Sequence, residues 1–194
     1  EKARQGNVRP KVGIAYGNKL MVHSALRQFT PALQCGDSAL SITREVNSRF
    51  DEGVALMKLG TVHREVRSDS QAIAYFDQAL AIFDELKTPE RSAAAHQYLM
   101  QSWKSLNRIP LAIYHGKQSV NLLQSIRKNL KPLPLDMRRA YTKSKEESYR
   151  ILAEILIGEG RIPEAQLVLK MLKEEEYFDF LQRDAKEASS LDAR

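Results

Sequence analysis

Residues 53–86 read GVALMKLGTVHREVRSDSQAIAYFDQALAIFDEL, and residues 13–46 read GIAYGNKLMVHSALRQFTPALQCGDSALSITREV. Laid over each other at an offset of 40, they share Gly13/Gly53, Ala15/Ala55, Val22/Val62, His23/His63, Arg27/Arg67 and Ala32/Ala72. The match continues through Asp37/Asp77, Ala39/Ala79, Leu40/Leu80, Ile42/Ile82 and Glu45/Glu85. Eleven identities in 34 positions is far above chance and marks an internal repeat. The same offset carries Ala55, Leu59, Ala72, Ile73 and Gln78 onto Ala95, Leu99, Ala112, Ile113 and Gln118. A fourth unit matches the third 53 residues further on, through Arg108-Ile109-Pro110-x-Ala112 and Arg161-Ile162-Pro163-x-Ala165. Periods in this range indicate supersecondary units that bury their apolar faces on one another.

Each unit reads as two helices. In 71–86, Ile73, Phe76, Ala79, Leu80 and Phe83 form a stripe at helical spacing, not a strand alternation. Asn107 and Gly160 suit the left-handed position that ends a helix. Pro31, Pro110 and Pro163 stand where a following helix begins, because proline is tolerated in a first turn and not in an interior one. Four hairpins are expected near 10–47, 50–87, 90–130 and 134–187, together one repeat domain over 1–194. The first helix of the fourth, Leu135 to Ile157, would be ~35 Å long, with Pro132 and Pro134 blocking its extension backwards.

The positions of the small residues narrow the repeat type. Counted from Gly53 as position 1, the second unit has Leu59-Gly60 at 7–8, Ala72 at 20, Phe76 at 24 and Ala79 at 27. This closely resembles the tetratricopeptide repeat, with small residues at 8, 20 and 27 and bulky ones at 4, 7, 11 and 24. The resemblance implies an all-α fold, a right-handed superhelical array of about four antiparallel hairpins. Lys19 at 7, His23 and His63 at 11, and Gly36 and Gly116 at 24 depart from the pattern and are expected to weaken their units. The spacing of 40 exceeds the usual 34, so helices or loops must be longer than the minimum.

Composition bounds the function. Of 194 residues 43% are apolar and 28% charged, which suits a folded chain and excludes a disordered one. No run of ~18 apolar residues offers a membrane span, and the start Glu-Lys-Ala-Arg-Gln-Gly has no signal-peptide core. It reads as a cut inside a longer protein; a cytoplasmic location is expected, with any signal peptide lying upstream. Cys35 is the only cysteine, which excludes an internal disulfide and a multi-cysteine zinc site. The net charge of +6 is uneven: +5 over 1–50, −3 over 51–100, +8 over 101–150 and −4 over 151–194.

Two segments carry a more specific resemblance: residues 113–127, IYHGKQSVNLLQSIR, and 148–180, from SYRILAEILI through GRIPEAQLVLKMLKEEEYFDF. They resemble the tetratricopeptide region that precedes the CHAT domain, a caspase-like cysteine peptidase module of bacterial proteins. The likeness covers roughly 90–194. It implies a regulatory or substrate-recruiting role toward a peptidase domain that this sequence does not include, so no catalytic residue carries over.

No catalytic residue, metal ligand or cofactor site is expected within the chain, and no small-molecule ligand. His23, His63 and Cys35 do not make a nucleophile–base pair, because the two histidines occupy equivalent repeat positions and are expected to pack in the core alike. Trp103 holds position 11 of the third unit and is expected in the core. Tyr177, Phe178 and Phe180 lie on the last helix, either docking a further domain or packing back on Leu152, Leu156 and Leu169. The stretch 101–150 carries eleven basic residues against three acidic ones, among them Arg127, Lys128, Lys131, Arg138, Arg139, Lys143 and Lys145. Only Tyr141 and Tyr149 are interleaved, so a solvated face is favoured over specific nucleic-acid binding.

The expected functional surface is the groove lined by the first helix of each hairpin. Tetratricopeptide positions 2, 5, 9 and 12 select Met21, Ser24, Met57, Thr61, Arg64, Gln97, Gln101, Lys104, Arg150 and Glu154. The Lys and Asn set with which some family members clamp a peptide C-terminus is not present as a set. Amides, methionines and a few cations suit an extended or helical peptide, held by side-chain hydrogen bonds and adaptable apolar contacts. The expected function is a protein-interaction scaffold whose partner is a peptide segment or its own downstream peptidase domain. The alternative is a nucleic-acid-binding helical array that uses 101–150.

Overall fold

The computed structural model describes residues 2–130, 132 and 134–172, with side chains from residue 9 onward except those of residues 135, 138, 139 and 142. All regular structure among them is α-helical: α1 (Lys2–Ala25), α2 (Phe29–Glu45), α3 (Arg49–Glu65), α4 (Asp69–Glu85), α5 (Pro89–Ser105), α6 (Ile109–Leu130) and α7 (Leu135–Gly158). An eighth helix, α8, is described over 162–172. Tyr177, Phe178, Phe180 and the rest of the fourth hairpin beyond 172 lie outside the described residues.

The long repeat period resides in the helices. Each of α2 to α5 has 17 residues, and two such helices with two three-residue links account for the 40-residue spacing. Six of the links carry one left-handed residue each: Arg27, Asn47, Arg67, Lys87, Asn107 and Gly160, at φ between 52° and 69°. Each of these six ends closes with the same pair of backbone hydrogen bonds. After α3, for example, Arg67 N–H donates to Arg64 C=O (2.9 Å) and Ser68 N–H to His63 C=O (2.8 Å). The two bonds satisfy carbonyls that a helix end otherwise orphans. They offset the ~1 kcal/mol cost of a left-handed side-chain-bearing residue, so glycine is not required. Asn107 and Gly160 were legible as helix terminators; Arg27, Arg67 and Lys87 carry no such signature.

Two compact units are present, Glu1–Ser119 and Val120–Arg194, the division falling inside α6. In the first, α1 packs on α2 and α3 on α4, α2 meets α3 and α4 meets α5, and the first helices touch in sequence, α1 with α3 and α3 with α5. The start of α6 lies on α5, where Ser119 Oγ donates to Ala93 C=O (2.9 Å). Ala32, Ala72 and Ala112, all at position 20, have no exposed surface. In the second unit, Val120, Leu123 and Ile126 of α6, Tyr149, Leu152 and Leu156 of α7, and Ala165, Val168 and Leu172 of α8 are buried. Gln124 Nε2 donates to the Tyr149 hydroxyl (3.1 Å), and Arg127 donates to Met171 C=O (3.0 Å).

The glycines at position 24 require a correction. Gly36 faces Leu59 and Leu20, and a Cβ there would come within 2.8 Å of Leu20 Cδ1. In the second hairpin the sizes are reversed: position 24 is Phe76, and position 8, Leu20 in the first hairpin, is Gly60, whose Cβ would meet Phe76 Cε1 at 2.5 Å. The third hairpin returns to the first arrangement, with Met100 at position 8 and Gly116 at 24, both buried. A large side chain from one helix fills the space that its partner's glycine leaves, so Gly36 is a fitted position and not a weak one.

The position-11 residues are also corrected. His23 and His63 are half-buried and differ from each other. His63 stacks on Tyr75, with ring centroids 5.1 Å apart. The residue equivalent to Tyr75 in the first hairpin is Cys35, which has no ring, and His23 Nδ1 instead meets Gln28 Oε1 at 2.7 Å. Trp103 is half-buried against Ala72, Ile73, Phe76 and Leu99.

Candidate functional site

In the first unit, α1, α3 and α5 present their polar positions on a shared first-helix face. Four interactions tie the helices together there. Lys58 Nζ donates to Asn18 Oδ1 (3.2 Å), and Ser24 Oγ donates to the Glu65 carboxylate, both between α3 and α1. The Arg64 guanidinium lies 5.5 Å from the Tyr98 ring centroid and that of Arg91 lies 5.6 Å from Phe50, both between α5 and α3. Cations over aromatic faces are held without losing their charge to a carboxylate.

The sequence-selected groove residues divide between the two units. Met21 is exposed on α1; Met57, Thr61 and Arg64 are half-buried on α3; Gln97 and Gln101 are half-buried and Lys104 exposed on α5. Ser24 is buried and committed to Glu65. Thr61 Oγ1 donates to Met57 C=O (3.0 Å), as helical threonines commonly do. Arg150 and Glu154 are exposed on α7 of the second unit, and Arg150 Nε donates to Glu146 Oε1 at 2.6 Å.

Sequence reasoning passed over a recess between α1 and α3. It has a volume of about 160 Å³ and is lined by Gly13, Ile14 and Gly17 of α1, by Phe50, Asp51, Val54 and Lys58 of α3, and by Arg91 of α5. Two glycines one helical turn apart open the α1 wall; a Cβ on Gly17 would stand 3.2 Å from Lys58 Nζ. Burial holds the Lys58 ammonium below the usual lysine range and the charge of Arg91 adds to this, while Asp51 opposes it. Asp51 Oδ2 accepts from Ser48 Oγ (2.7 Å).

A second unforeseen group is the pair of His96 and His115, whose Nδ1 atoms are 2.9 Å apart between α5 and α6. Burial lowers both pKa values, and the neighbouring His96 lowers His115 further, to about 4. The pair is neutral near pH 7, one ring donating and the other accepting. Among the described residues no three or more His, Cys, Asp or Glu side chains converge as metal ligands.

The ion pairs also repeat. Arg9–Glu45 (2.8 Å) and Arg49–Glu85 (2.7 Å) are the same contact 40 residues apart. Arg44–Glu52 (2.8 Å) recurs in position as Asp84–Ser92, where Ser92 Oγ donates at 2.6 Å. Burial by itself would raise the Glu52 pKa, but hydrogen bonds from Arg44 and Arg49 outweigh it and hold the carboxyl below its ordinary range.

Of the basic stretch, Arg127 is half-buried and bound to a backbone carbonyl, and Lys145 lies 5.8 Å from the Tyr141 ring centroid. Tyr149 is 5% exposed, so its ring is core and not a platform for a base. The side chains of Arg138 and Arg139 are outside the described residues.

With these features in place, the fold can be set beside known structures. It is similar to BtubC (BKLC) from P. vanneervenii, with a TM-score of 0.68 at 17% identity over 87% of this chain. The chain spans 65% of the length of that protein. It is also similar to a kinesin light chain of Podosopora anserina with nearly identical TPR-like repeats, with a TM-score of 0.53 at 12% identity, covering 87% of this chain and 96% of that one. A variant of the same fungal protein gives 0.53 at 13% identity, with 90% and 98% covered. The class is therefore a tetratricopeptide-like helical-repeat fold. No protein-family model and no curated protein matches the sequence. Among the described residues no helix is long and apolar enough to cross a membrane.

Proposed function

We propose that the chain is a non-catalytic protein-interaction scaffold that binds an extended segment of a partner polypeptide on its first-helix face. One observation carries this reading: along α3 and α5 that face holds half-buried Met57, Thr61, Arg64, Gln97 and Gln101, with cations seated on aromatic rings and not ion-paired among the described residues. Such a surface offers hydrogen bonds, adaptable apolar contact and charge, the mixture by which a peptide is read. The likeness of the fold to repeat proteins of the tetratricopeptide kind supports it. The finer reading, a recruiting region for a CHAT-type peptidase domain, rests on the resemblance of 113–127 and 148–180 alone.

The rival is a nucleic-acid-binding array built on 101–150. The burial of Tyr149 and the engagement of Arg127 weigh against it. The test is titration of the chain with CHAT-domain fragments, and with single-stranded oligonucleotides, at two salt concentrations. Oligonucleotide binding is expected to be weak and to collapse between ~50 and 200 mM salt. Sequence-selective oligonucleotide binding that survives the higher salt, and is lost when Lys128, Lys143 and Lys145 are changed to Ala, would make the rival reading correct. Failure of every CHAT fragment to bind would remove the finer reading and leave the scaffold itself to be tested with other peptides.

A further inference from the structure

We propose that the recess between α1 and α3 is an anchoring subsite for one aspartate or glutamate side chain of the bound peptide. The inference rests on the peptide-binding reading above and names the chemistry that the face selects.

Three observations converge on it. First, Lys58 and Arg91 both line the recess, and neither makes an ion pair among the described residues: Lys58 has the neutral Asn18, and Arg91 has the Phe50 ring. Most other arginines with a described contact on α2, α3 and α7 end on a carboxylate, as Arg44, Arg49 and Arg150 do. Second, the environment penalises the Lys58 charge as it stands, through burial and through the like charge of Arg91. An incoming carboxylate reverses both effects, since it supplies the opposite charge and charge-assisted hydrogen bonds. Third, the recess is small and partly apolar. At about 160 Å³, with Ile14, Val54 and Phe50 in its walls, it suits one side chain with a short methylene stem.

The same features argue against a nucleic acid. Asp51 places a negative charge in the wall, and a phosphate backbone needs a run of cations, whereas this site has two. Two cations match the charge of a single carboxylate, and Asp51 Oδ2 is already engaged by Ser48.

The experiment is selection of displayed random peptides of about nine residues, ~30 Å when extended, on the whole chain. Enriched sequences are then synthesised and their affinities measured at about 150 mM salt, where long-range attraction is screened. The expected result is an Asp or Glu at one fixed place in the enriched peptides. Replacing it by Asn or Gln should weaken binding roughly tenfold to hundredfold, as loss of a charge-assisted hydrogen bond does. Lys58→Met and Arg91→Gln should each erase most of that preference, while Asp51→Asn should strengthen it. Lys58→Met removes a charge that burial already disfavours, so its thermal midpoint should not fall, and Asp51→Asn supplies a gain in affinity that unfolding cannot imitate. Enriched peptides with no acidic preference, or a preference indifferent to all three substitutions, overturn the subsite and leave the peptide-binding face standing. No enriched peptide at all overturns both. Oligonucleotide binding that persists above ~200 mM salt and vanishes in Lys58→Met would assign the recess to phosphate instead.

Discussion

The first two hairpins share eleven of 34 aligned residues, yet they fill the space between their helices in opposite ways. In the first, Leu20 projects from α1 toward Gly36 of α2; in the second, Phe76 projects from α4 toward Gly60 of α3. All four positions are buried. The constraint at this contact is therefore on summed volume and not on any one position, and at Gly36 that sum includes Leu59 of α3. A second difference concerns the outer face of the first helix. Ala55, Leu59 and Val62 of α3 are at most 4% exposed because α2 covers them, whereas Ala15, Lys19 and Val22 of α1 are exposed and Val22 shows 59% of its surface. The same face has a neighbour in one hairpin, and among the described residues none in the other.

The largest expected effect breaks the first contrast directly. Gly60→Leu should cost about 3 kcal/mol by driving a side chain into Phe76, and Phe76→Gly about 4 kcal/mol by opening a cavity and placing glycine in a helix. The double substitution reproduces the first hairpin's Leu/Gly order. Its cost should fall below the sum of the two by ~2 kcal/mol or more in a denaturant double-mutant cycle. Strict additivity would show that the two sites do not share one volume.

Next come Ala72→Leu and Ala112→Leu, which enlarge a fully buried helix contact and should each cost ~1–3 kcal/mol in urea melts. An unchanged midpoint for both would mean that these alanines do not set the helix separation. The burial contrast gives a matched pair. Val62→Ala should cost ~2 kcal/mol, and Val22→Ala, at the equivalent place, should stay within ~0.5 kcal/mol of the parent. Equal costs would mean that α1 is covered in solution.

The third hairpin extends the comparison to pH. It alone pairs two histidines, His96 and His115, where the second hairpin has Leu56 and Tyr75. The unfolded histidines take up protons near pH 6.5, and the folded His115 only near pH 4. The unfolded chain therefore binds more protons between these values, and stability should fall as pH falls through that window. His115→Gln should flatten the loss. Glu52 acts lower on the scale, because its depressed folded pKa contributes stability above about 4.5 that disappears as pH drops further. Glu52→Gln should leave the histidine window untouched. The smallest effect is expected at the links: Arg67→Gly and Lys87→Gly relieve left-handed strain on exposed residues and should raise stability by no more than ~1 kcal/mol.

The candidate site was legible in part. Counting along the repeat selected Met57, Thr61, Arg64, Gln97 and Gln101 on α3 and α5, because helical period and repeat register together determine which residues share a face. Ser24 was selected by the same count, but it is spent on Glu65, a contact between residues 41 apart that no local pattern announces. The recess was missed for a related reason. It exists where Gly17 of one helix faces Lys58 of another, and pairing across helices has no signature in either segment alone.

The sequence by itself determined the all-helical architecture, the period, the helix starts at Pro31, Pro110 and Pro163, and the buried alanines at position 20. These follow from local stereochemistry and from a repeated demand for small residues at a helix contact. Only the tertiary structure decided the rest: that Gly36 is answered by Leu20, that His63 finds a ring while its twin His23 finds an amide, and that Lys58 and Arg91 line one recess together with Asp51. Each depends on what stands across the gap, and identical positions in successive repeats meet different neighbours. A side chain's role is set by the volume and charge that face it, and packing alone brings those together.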